Sequence, residues 1–522
     1  MSRSMPKLRL PLAVIVLACV AALAPAAAQA APIGAFTTKG AWTFVSAPRL
    51  HPPKLTTTQK TQRGLAPGYF MTGVFKDVTV AKPVVGESGP LILDRNLQPV
   101  WFDPIGTKAL AANLRVQSYN GKPVLSWWQG TISGTGATTS GEDVVVDQHY
   151  RHVATLNGSG GWVISEHEMI ISGPNAWVTA YKNVPMDLSR FGGSANGVLV
   201  DSAVQEYDLK TGQLLYTWDA LNPGATPNIP LSQSRQKPFP GIPWDAYHIN
   251  SIQLTGNETF LVSMRNTWSA YLVNRLTNGI EWTISGNPKV STFTLPANAQ
   301  FQWQHDVQLN GNMLSMFDDH CCGIKDIKNG RAEFVTPTAP SRGLVLKVDL
   351  TKHTGALASQ YIRGKLVVPF LGSTGLLPGG NVVLGWGNSQ VFSEVSHKGK
   401  VLLDATWPAP DINYRTYVQR WTGIPFFPPS GGVRNNQGKA TVYASWDGDT
   451  QVVSWKVLAG SSAKSLKAVA SKTKTGFETT IPLTSSFNVY EVQALDAQHH
   501  VLGTSKTFPT AGSPNSGLPQ GY

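Results

Sequence analysis

The stretch that decides the fold is residues 205–218, which read QEYDLKTGQLLYTW. It contains a short apolar segment, a polar turn with Gly212, and a second segment that ends in Trp218. Residues 271–282 (YLVNRLTNGIEW) and residues 91–101 (LILDRNLQPVW) follow the same order. Because one such unit cannot bury its own faces, its repetition predicts sheets that pack around an axis, with tryptophans filling the space between them.

The composition is typical of an all-β chain. The 522 residues include 50 Gly, 36 Pro and 16 Trp, and only 14% are charged, which indicates many turns and short strands. We predict a six-bladed β-propeller over residues 86–428, because about 340 residues fit roughly six units of ~40–60 residues. An ordinary β-sandwich contains similar hairpins but is too small for this much sequence.

The segments on either side of this region differ in composition. Residues 31–85 are rich in Pro, Lys and Thr and predict an extended N-terminal arm with one or two strands. Residues 428–432 (PPSGG) predict a linker. Residues 437–510 carry short alternating strands with Trp446, Trp455 and a late Tyr490, a pattern that predicts a small β-sandwich similar to a fibronectin type III module. The Gly-, Pro- and Ser-rich residues 511–522 predict a disordered tail.

The N-terminus reads as a targeting segment. Residues 1–30 have a basic start, an apolar core from 10 to 17 and small residues before Ala31, which predicts a cleaved signal peptide. A membrane anchor is the alternative, but the apolar run is shorter than the ~20 residues that a span needs. A lipoprotein site at Cys19 is a second alternative. We expect a secreted or cell-envelope protein.

The charge pattern limits the class of partner. The formal net charge is +12, but the basic residues form no run or stripe, so nucleic acid is not an expected partner. A mild positive field suits anionic substrates or an acidic cell envelope. The C-terminal module is a candidate for contact with the envelope.

Two adjacent cysteines, Cys321 and Cys322, follow the predicted leader. In an oxidising compartment they can form a vicinal disulfide that stiffens a loop, and we favour this reading. The alternatives are two free thiols, or a metal site with His320, Asp318 and Asp319. Because this run offers crowding more than the tetrahedral geometry that zinc needs, we expect no metal site.

Two histidines, His248 and His305, occupy the same position in successive units. Each precedes an apolar strand and has neighbours that can fix its tautomer and orientation. These neighbours are Asp245 and Asn250 for the first, and Gln304 and Asp306 for the second. Equivalent first-strand positions line the channel of a propeller, so both rings are predicted to share one pocket. Hydrogen bonding between blades is the alternative role.

Further polar residues are candidates for the same pocket. Arg342 begins a predicted strand, and an arginine there can hold an anion through two parallel hydrogen bonds. Arg265 is a second candidate arginine. The cluster Glu166-His167-Glu168 is a third group that could face the mouth of the channel.

The order of these motifs resembles the arylsulfotransferase family of secreted β-propellers. The resemblance covers about residues 85–425 and is most specific around His248 and His305. It implies a six-bladed propeller and ping-pong transfer of a sulfuryl group from a phenolic ester to another phenol, without a nucleotide sulfate donor or other cofactor. By motif, His248 and His305 match two family histidines and Arg342 matches the family arginine, so these three residues are the predicted catalytic set.

The chain departs from the family pattern in one place. The histidine that accepts the sulfuryl group is expected within residues 380–394, but this stretch contains none. Asn388 and Gln390 occupy that neighbourhood, near Trp386, and an amide is not a nucleophile. Either His305, or as second choice His248, carries the sulfuryl group, or the chemistry is different or absent. The predicted substrate-binding residues are Asn250, Asp306, Gln304, Arg265, His167, Trp386, Asn388 and Gln390.

Three functions therefore stay open at this point. The first is the sulfotransferase, with a small phenolic or aryl sulfate substrate. The second is a non-catalytic binding propeller for aryl or anionic ligands at the cell surface, which the missing histidine favours. The third is a quinoprotein-type dehydrogenase, because that class also uses Thr-Gly…Trp units and vicinal cysteines. Only two units approach that motif, and the chain is short for eight blades.

Overall fold

A computed structural model describes residues 36–510, except residues 62, 81, 107, 108, 135 and 257. The predicted signal peptide, residues 31–35 and the predicted tail lie outside the described residues. Within the described part, the helical segments are single 3-10 turns, and no helix has the length and apolarity to cross a membrane. These turns are Ser189–Phe191, Leu231–Gln233, Arg265–Thr267, Ala297–Ala299 and Gly387–Ser389. The all-β class is confirmed.

The first half of the ring follows a short strand, β1 (Thr56–Lys60). The first sheet contains β2 (Tyr69–Lys76), β3 (Gly89–Leu93) and β4 (Pro99–Phe102). The second contains β5 (Leu110–Tyr119), β6 (Lys122–Ile132), β7 (Thr138–Asp147) and β8 (His152–Asn157). The third contains β9 (Val163–Ser172), β10 (Asn175–Met186), β11 (Gly197–Asp208) and β12 (Leu214–Asp219), with β13 (Trp244–Asp245) beside β11.

Three more antiparallel sheets follow. The fourth contains β14 (Ile249–Leu254), β15 (Thr259–Met264), β16 (Ser269–Asn274) and β17 (Ile280–Ser285). The fifth contains β18 (His305–Asn310) and β19 (Met313–Asp318); a hairpin of β20 (Ile324–Lys328) and β21 (Arg331–Phe334) follows before β22 (Arg342–Asp349) and β23 (Thr354–Ile362) complete it. The sixth contains β24 (Ser373–Leu376), β25 (Val382–Gly385), β26 (Val391–Val395) and β27 (Val401–Thr406).

Distant parts of the chain close the ring. Two late strands, β28 (Asp411–Ile412) and β29 (Thr416–Gln419), pair with β2 of the first sheet, while the early β1 pairs with β27 of the sixth. Neighbouring sheets contact each other through their first strands, as β9 does with β14 and β14 with β18. This is a propeller-like arrangement in which first strands lie innermost. We interpret each sheet as one blade, which stays the prediction made from the repeats.

Aromatic side chains fill the space between the sheets, as the repeat pattern predicts. Trp218 of the third sheet is 1% exposed and packs on Phe260 of the fourth, with ring centroids 6.0 Å apart. Trp101 of the first sheet lies 5.8 Å from Trp127 of the second. Because such aromatics bury large apolar areas, they supply much of the packing energy between blades.

The predicted N-terminal arm is partly wrong. Strand β2 falls inside residues 31–85 but belongs to the first sheet. The residues before it do not extend away from the ring: Phe44, Leu50 and Leu55 are buried in a cluster with Phe392 and Trp407. The Pro- and Lys-rich composition hid these apolar anchors, which bind the N-terminal segment to the sixth sheet and the first.

The C-terminal region forms two facing sheets. Strands β30 (Ser430–Asn436), β31 (Lys439–Ser445) and β34 (Glu478–Pro482) make one sheet. Strands β32 (Ser454–Gly460), β33 (Lys467–Thr473), β35 (Val489–Leu495), β36 (Val501–Thr504) and β37 (Phe508–Pro509) make the other. Trp446, Trp455 and Tyr490 share one core cluster with residues of both sheets. The likeness to a fibronectin type III module stays a prediction.

The predicted linker is wrong in its second half. Ser430, Gly431 and Gly432 begin β30, so the C-terminal module starts at residue 430 and not at 437. A Cβ on Gly431 would lie 2.1 Å from the ring of Phe508, and one on Gly432 would lie 2.8 Å from the Val45 carbonyl oxygen. These glycines therefore permit close packing, whereas the composition suggested flexibility.

Candidate functional site

Three histidines from consecutive sheets meet at the centre of the ring. His167 lies in β9, His248 directly precedes β14, and His305 begins β18. Their ring centroids are 5.1 Å (His167–His248), 6.0 Å (His248–His305) and 6.4 Å (His167–His305) apart. The structure thus brings together the two histidines predicted to share a pocket, and it adds His167 to them.

Local backbone irregularity aims these side chains inward. The pairing of β14 with β15 shifts register between Ile249 and Ser251, and that of β18 with β19 shifts between His305 and Gln308. His248 and Asp306 have φ values of 57° and 56°, which few non-glycine residues adopt. Such bulges re-aim a side chain at the edge of a sheet, and here they turn polar groups toward the axis.

Each of the three rings has a carboxylate beside its Nδ1 atom. His248 Nδ1 lies 2.5 Å from Asp245 Oδ2, and His305 Nδ1 lies 3.0 Å from Asp319 Oδ2. His167 Nδ1 is 3.6 Å from Glu166 Oε1 and 3.2 Å from the Ser165 hydroxyl. Only the His248–Asp245 pair is a hydrogen bond, and it favours the His248 tautomer that carries its proton on Nδ1, which leaves the Nε2 lone pair available.

Burial separates the three histidines. The side chains of His167 and His305 are 1% and 0% exposed, whereas that of His248 is 14% exposed. Burial lowers the pKa of both His167 and His305 well below the usual range, and the charges of Arg265 and Arg415 act in the same direction. Two neutral imidazoles therefore lie beneath a third ring that solvent can reach.

A cavity opens onto this third ring. His248, Asp245 and Arg265 line it together with Asn266. Its remaining wall is largely apolar and includes Phe239, Ile242, Trp244, Ile324, Ile327, Phe334 and Phe370. The β20–β21 hairpin forms part of that wall, held by the hydrogen bonds from Ala332 N to Gly134 O and from Ile324 N to Gln236 Oε1. Such a pocket suits an aromatic ligand with one polar end.

Two arginines face the histidines. Arg265 donates to Asn266 Oδ1, Cys322 O and Pro369 O, and its Nε, 3.8 Å from Asp319 Oδ2, has no hydrogen-bond partner. Arg415 is 1% exposed and donates to Glu168 Oε2 at 2.8 Å and Asn250 O at 2.7 Å. It also lies 3.5 Å from Asp306 Oδ1.

The structure does not bring Arg342 to the histidines, which corrects its predicted catalytic role. Its guanidinium donates to Asp318 Oδ2 at 2.9 Å and to Gln360 Oε1 at 2.8 Å. It also donates to the carbonyl oxygens of Asn298 and Gln300. Because β22 is the third strand of its sheet, Arg342 does not stand at a channel-lining strand start. Its contacts are those of a structural ion pair.

The flanking residues hold the site more than they line it. Asn250 Nδ2 donates to Gln304 O, and Gln304 Nε2 donates to Ser263 Oγ and the carbonyl oxygens of Met264 and Ser269. Burial raises the pKa of Asp306 to about 6, although Arg415 opposes this shift. The substrate contacts predicted for Asn250 and Gln304 are thus replaced by links between the fourth and fifth sheets.

The predicted substrate contacts of the sixth sheet are also not supported. Trp386 is 2% exposed, donates to Ser393 Oγ and packs edge-on against Phe317 at 5.7 Å. Gln390 follows the 3-10 turn that contains Asn388, and its carbonyl accepts from Trp407 N. No described contact of Trp386, Asn388 or Gln390 reaches a histidine of the centre.

The adjacent cysteines are joined as a disulfide near the cavity. Cys321 and Cys322 are 3% and 5% exposed, and Arg265 donates to Cys322 O. The alternative metal set with His320, Asp318 and Asp319 is not supported. Asp318 pairs with Arg342, while Asp319 lies beside His305 and Arg265.

The motifs in the sequence did not identify Arg415 and Tyr414 as residues of the site. Tyr414 lies 5.5 Å from His167 and 6.1 Å from His305, and its hydroxyl donates to Asn250 O. The signal that could have found them is the run Asn413-Tyr414-Arg415, three polar residues directly before β29. His248 shows the same pattern, a polar group directly before an innermost strand.

The family model "Arylsulfotransferase (ASST)" matches residues 115–407, more than half of the chain. No curated protein matches the chain. Among solved structures, a protein of unknown function from Bacteroides caccae is 11% identical, with a TM-score of 0.36. The alignment covers 67% of this chain and 94% of that protein. The Dos1 propeller is 10% identical, with a TM-score of 0.27, and the alignment covers 68% of this chain and 72% of that protein.

The fold and the site together define a class: a propeller-like all-β protein with three clustered imidazoles below a cavity. The family match over residues 115–407 then identifies the chain: it belongs to the arylsulfotransferase family. The resemblance seen in the motifs is confirmed.

Proposed function

We propose that this protein transfers a sulfuryl group from a phenolic sulfate ester to a second phenol, and that His248 carries the group between them. One observation supports this assignment most directly. His248 is the one member of the described histidine cluster that lines the cavity, and its Nδ1 is held 2.5 Å from Asp245 Oδ2. This differs from the first choice made from the sequence, His305, because His305 is fully buried.

The chemistry balances in two steps. The Nε2 lone pair of His248 attacks sulfur, an N–S bond forms, and the S–O bond to the donor breaks with its electron pair leaving on the phenolate. The acceptor phenol then gives its proton to solvent water in the open cavity and attacks sulfur, so that an S–O bond forms, the N–S bond breaks and its electron pair returns to Nε2. Asp245 stabilises the positive charge that the sulfated imidazole carries, in the manner of a carboxylate that orients a catalytic histidine.

The cavity wall provides for both ends of the donor. Arg265 stands beside His248 at the polar end, where its guanidinium can offset charge on the sulfuryl oxygens. The aryl ring fits the apolar wall formed by Phe239, Phe334 and Phe370. This division matches an aryl sulfate ester and explains why no histidine is required in residues 380–394.

Transfer is tested with 4-nitrophenyl sulfate as donor and phenol as acceptor, by following nitrophenolate release and phenyl sulfate formation. We expect release by the wild-type protein and a loss of about 10³-fold or more in His248→Ala, the size seen when a covalent catalyst is removed. The matched control is His397→Ala, which removes an exposed turn histidine and should leave the rate unchanged.

Two outcomes would contradict this proposal. A folded wild-type protein that binds aryl sulfate but releases no nitrophenolate would support the non-catalytic binding function. A bound chromophore that absorbs in the near-ultraviolet and is reduced by an alcohol would support the dehydrogenase. Release that persists in His248→Ala and disappears in a folded His305→Ala would return the carrier role to His305.

Secretion remains part of the proposal. It is supported by the leader-like residues 1–30 and by the vicinal disulfide, which suits an oxidising compartment. N-terminal sequencing of the protein recovered from the native cell envelope or medium tests it. We expect a first residue of Ala31, and a mature chain that begins at Met1 would contradict it.

A further inference from the structure

We infer that His167, His248 and His305 form a three-nitrogen site for a divalent cation of the zinc class. The sequence motifs suggest no metal at this place. The inference rests on the position of the imidazoles and their partners, and it does not depend on the proposed sulfuryl transfer.

The spacing of the rings is close to that of a metal centre. One ring nitrogen from each histidine lies within 4.8 Å of one from each of the other two. Three nitrogens at about 2.1 Å from a tetrahedral zinc ion stand about 3.4 Å apart. Side-chain movements on the order of 1 Å would therefore close the set around a cation, and a water molecule or a ligand from the cavity could complete four-coordination.

The hydrogen-bonding state of the rings supports the same assignment. The Nε2 atoms of His167 and His305 are buried and have no hydrogen-bond partner, and such unpaired buried groups are costly. The Nδ1 atom of His248 is hydrogen-bonded to Asp245 Oδ2, while the Nδ1 atoms of His305 and His167 lie 3.0 Å from Asp319 and 3.6 Å from Glu166 without a hydrogen bond to either carboxylate. Carboxylates at the non-ligating nitrogen are the usual support of zinc-binding histidines, because they orient the ring and raise its basicity.

The surrounding charges also favour a cation. Five carboxyl groups contact the three rings or the arginines around them, compared with three guanidinium groups in the same cluster. The carboxyl groups are Glu166, Glu168, Asp245, Asp306 and Asp319, and the guanidinium groups are Arg115, Arg265 and Arg415. Glu168 is shared by Arg115 and Arg415, whereas Glu166 and Asp245 have no arginine among their described ion pairs. A divalent cation between the rings would offset this excess.

Cation and sulfuryl group exclude each other. The Nε2 lone pair of His248 cannot bind a metal and attack sulfur at once, so a bound cation would inhibit transfer. Binding is measured without any sulfate ester, and transfer is measured in the presence of a chelator. Failure of one measurement therefore leaves the other interpretable.

The test is a titration of chelator-treated, full-length protein with Co²⁺, followed by its visible absorption and by calorimetry. We expect one Co²⁺ per chain, with the intense absorption of a four-coordinate site, and displacement by one equivalent of Zn²⁺. His167→Gln and His305→Gln should each weaken binding by at least about 10²-fold, as loss of a ligand does more than loss of its support. His353→Gln, outside the cluster, is the matched control.

A second measurement uses the wild-type protein alone, in case the buried variants do not fold. Solvent-exchangeable imidazole N–H protons in the Co²⁺ protein should give three strongly shifted proton resonances, one for each Nδ1–H. Two results would overturn the inference: Co²⁺ binding that is absent or non-stoichiometric, or binding whose affinity and spectrum are the same in folded His167→Gln and His305→Gln.

Discussion

Arg415 and Arg342 both lie at or directly before the start of a strand, yet their side chains contact different parts of the molecule. Arg415 precedes β29, which lies innermost in the first sheet, and it contacts Glu168, Asp306 and Asn250 O beside the histidines. Arg342 begins β22, the third strand of the fifth sheet, and pairs with Asp318. Only the strand's place in its sheet separates a residue of the centre from a residue of the scaffold.

The same difference applies to the carboxylates. Asp245 and Asp319 lie beside histidines of the centre, whereas Asp318, adjacent to Asp319, points to Arg342. Asp318 is the last residue of β19 and Asp319 lies just beyond its end, so these neighbours in sequence belong to different environments. The centre is therefore defined by position in the ring, and this idea can be tested by paired substitutions.

The largest expected effect comes from the carboxylates. Asp245→Asn should lower the transfer rate by about 10³-fold, because an amide no longer selects the tautomer with a free Nε2. Asp318→Asn removes a carboxylate that pairs with Arg342, away from the histidines. The transfer rate of this folded variant should stay within about threefold of the wild-type rate. Nitrophenolate release measures both, and equal losses in the two variants would remove the distinction.

The arginines are expected to differ by a smaller factor. Arg415→Gln should reduce kcat by about 10²-fold, because the groups that position the buried histidines lose their charged partner. Arg342→Gln should mainly lower stability, on the order of 3 kcal/mol, since it removes the guanidinium that is paired with the buried Asp318 carboxylate. Steady-state kinetics and urea unfolding of both variants separate the two effects. If Arg342→Gln lost transfer at unchanged stability, its catalytic assignment would be restored.

The hairpin over the cavity should affect substrate binding. Phe334→Ala removes an aromatic from the wall and is expected to raise KM for an aryl sulfate by about tenfold, which corresponds to about 1.4 kcal/mol. Val335→Ala, at an exposed position on the same segment, is the control. An unchanged KM in Phe334→Ala would place the aryl ring elsewhere.

The smallest effect concerns pH. Because the folded-state pKa of Asp306 is raised to about 6, its protonated form stabilises the fold at low pH, and this contribution is lost as pH rises from about 4 through 6. The free energy of unfolding of Asp306→Asn relative to that of wild type should therefore rise by up to about 1.4 kcal/mol per pH unit across that window, because only wild type loses this contribution. Chemical unfolding at pH 4.5, 5.5 and 6.5 measures this; a difference independent of pH would contradict the shift.

Much of the ring could be predicted from the chain. The turn-and-tryptophan units lie where strands pair, as at β11–β12 and β16–β17, because alternating apolar residues and Gly or Asn turns are local signals. The ends could not, since β1 pairs with β27 and β29 with β2 through contacts hundreds of residues apart. Composition also misread Gly431 and Gly432 as a linker, because close packing and flexibility select the same residue.

The amino-acid sequence alone determined the all-β class, the family and the shared pocket of His248 and His305, because each of these can be read from short local motifs. Three matters were decided only when the sheets closed into a ring. These are that Arg265 and Arg415, and not Arg342, lie beside the histidines, which histidine solvent can reach, and that the candidate His167 packs directly against the other two rings. The physical reason is that burial and charge pairing are properties of groups brought together from different sheets, and no local pattern records them.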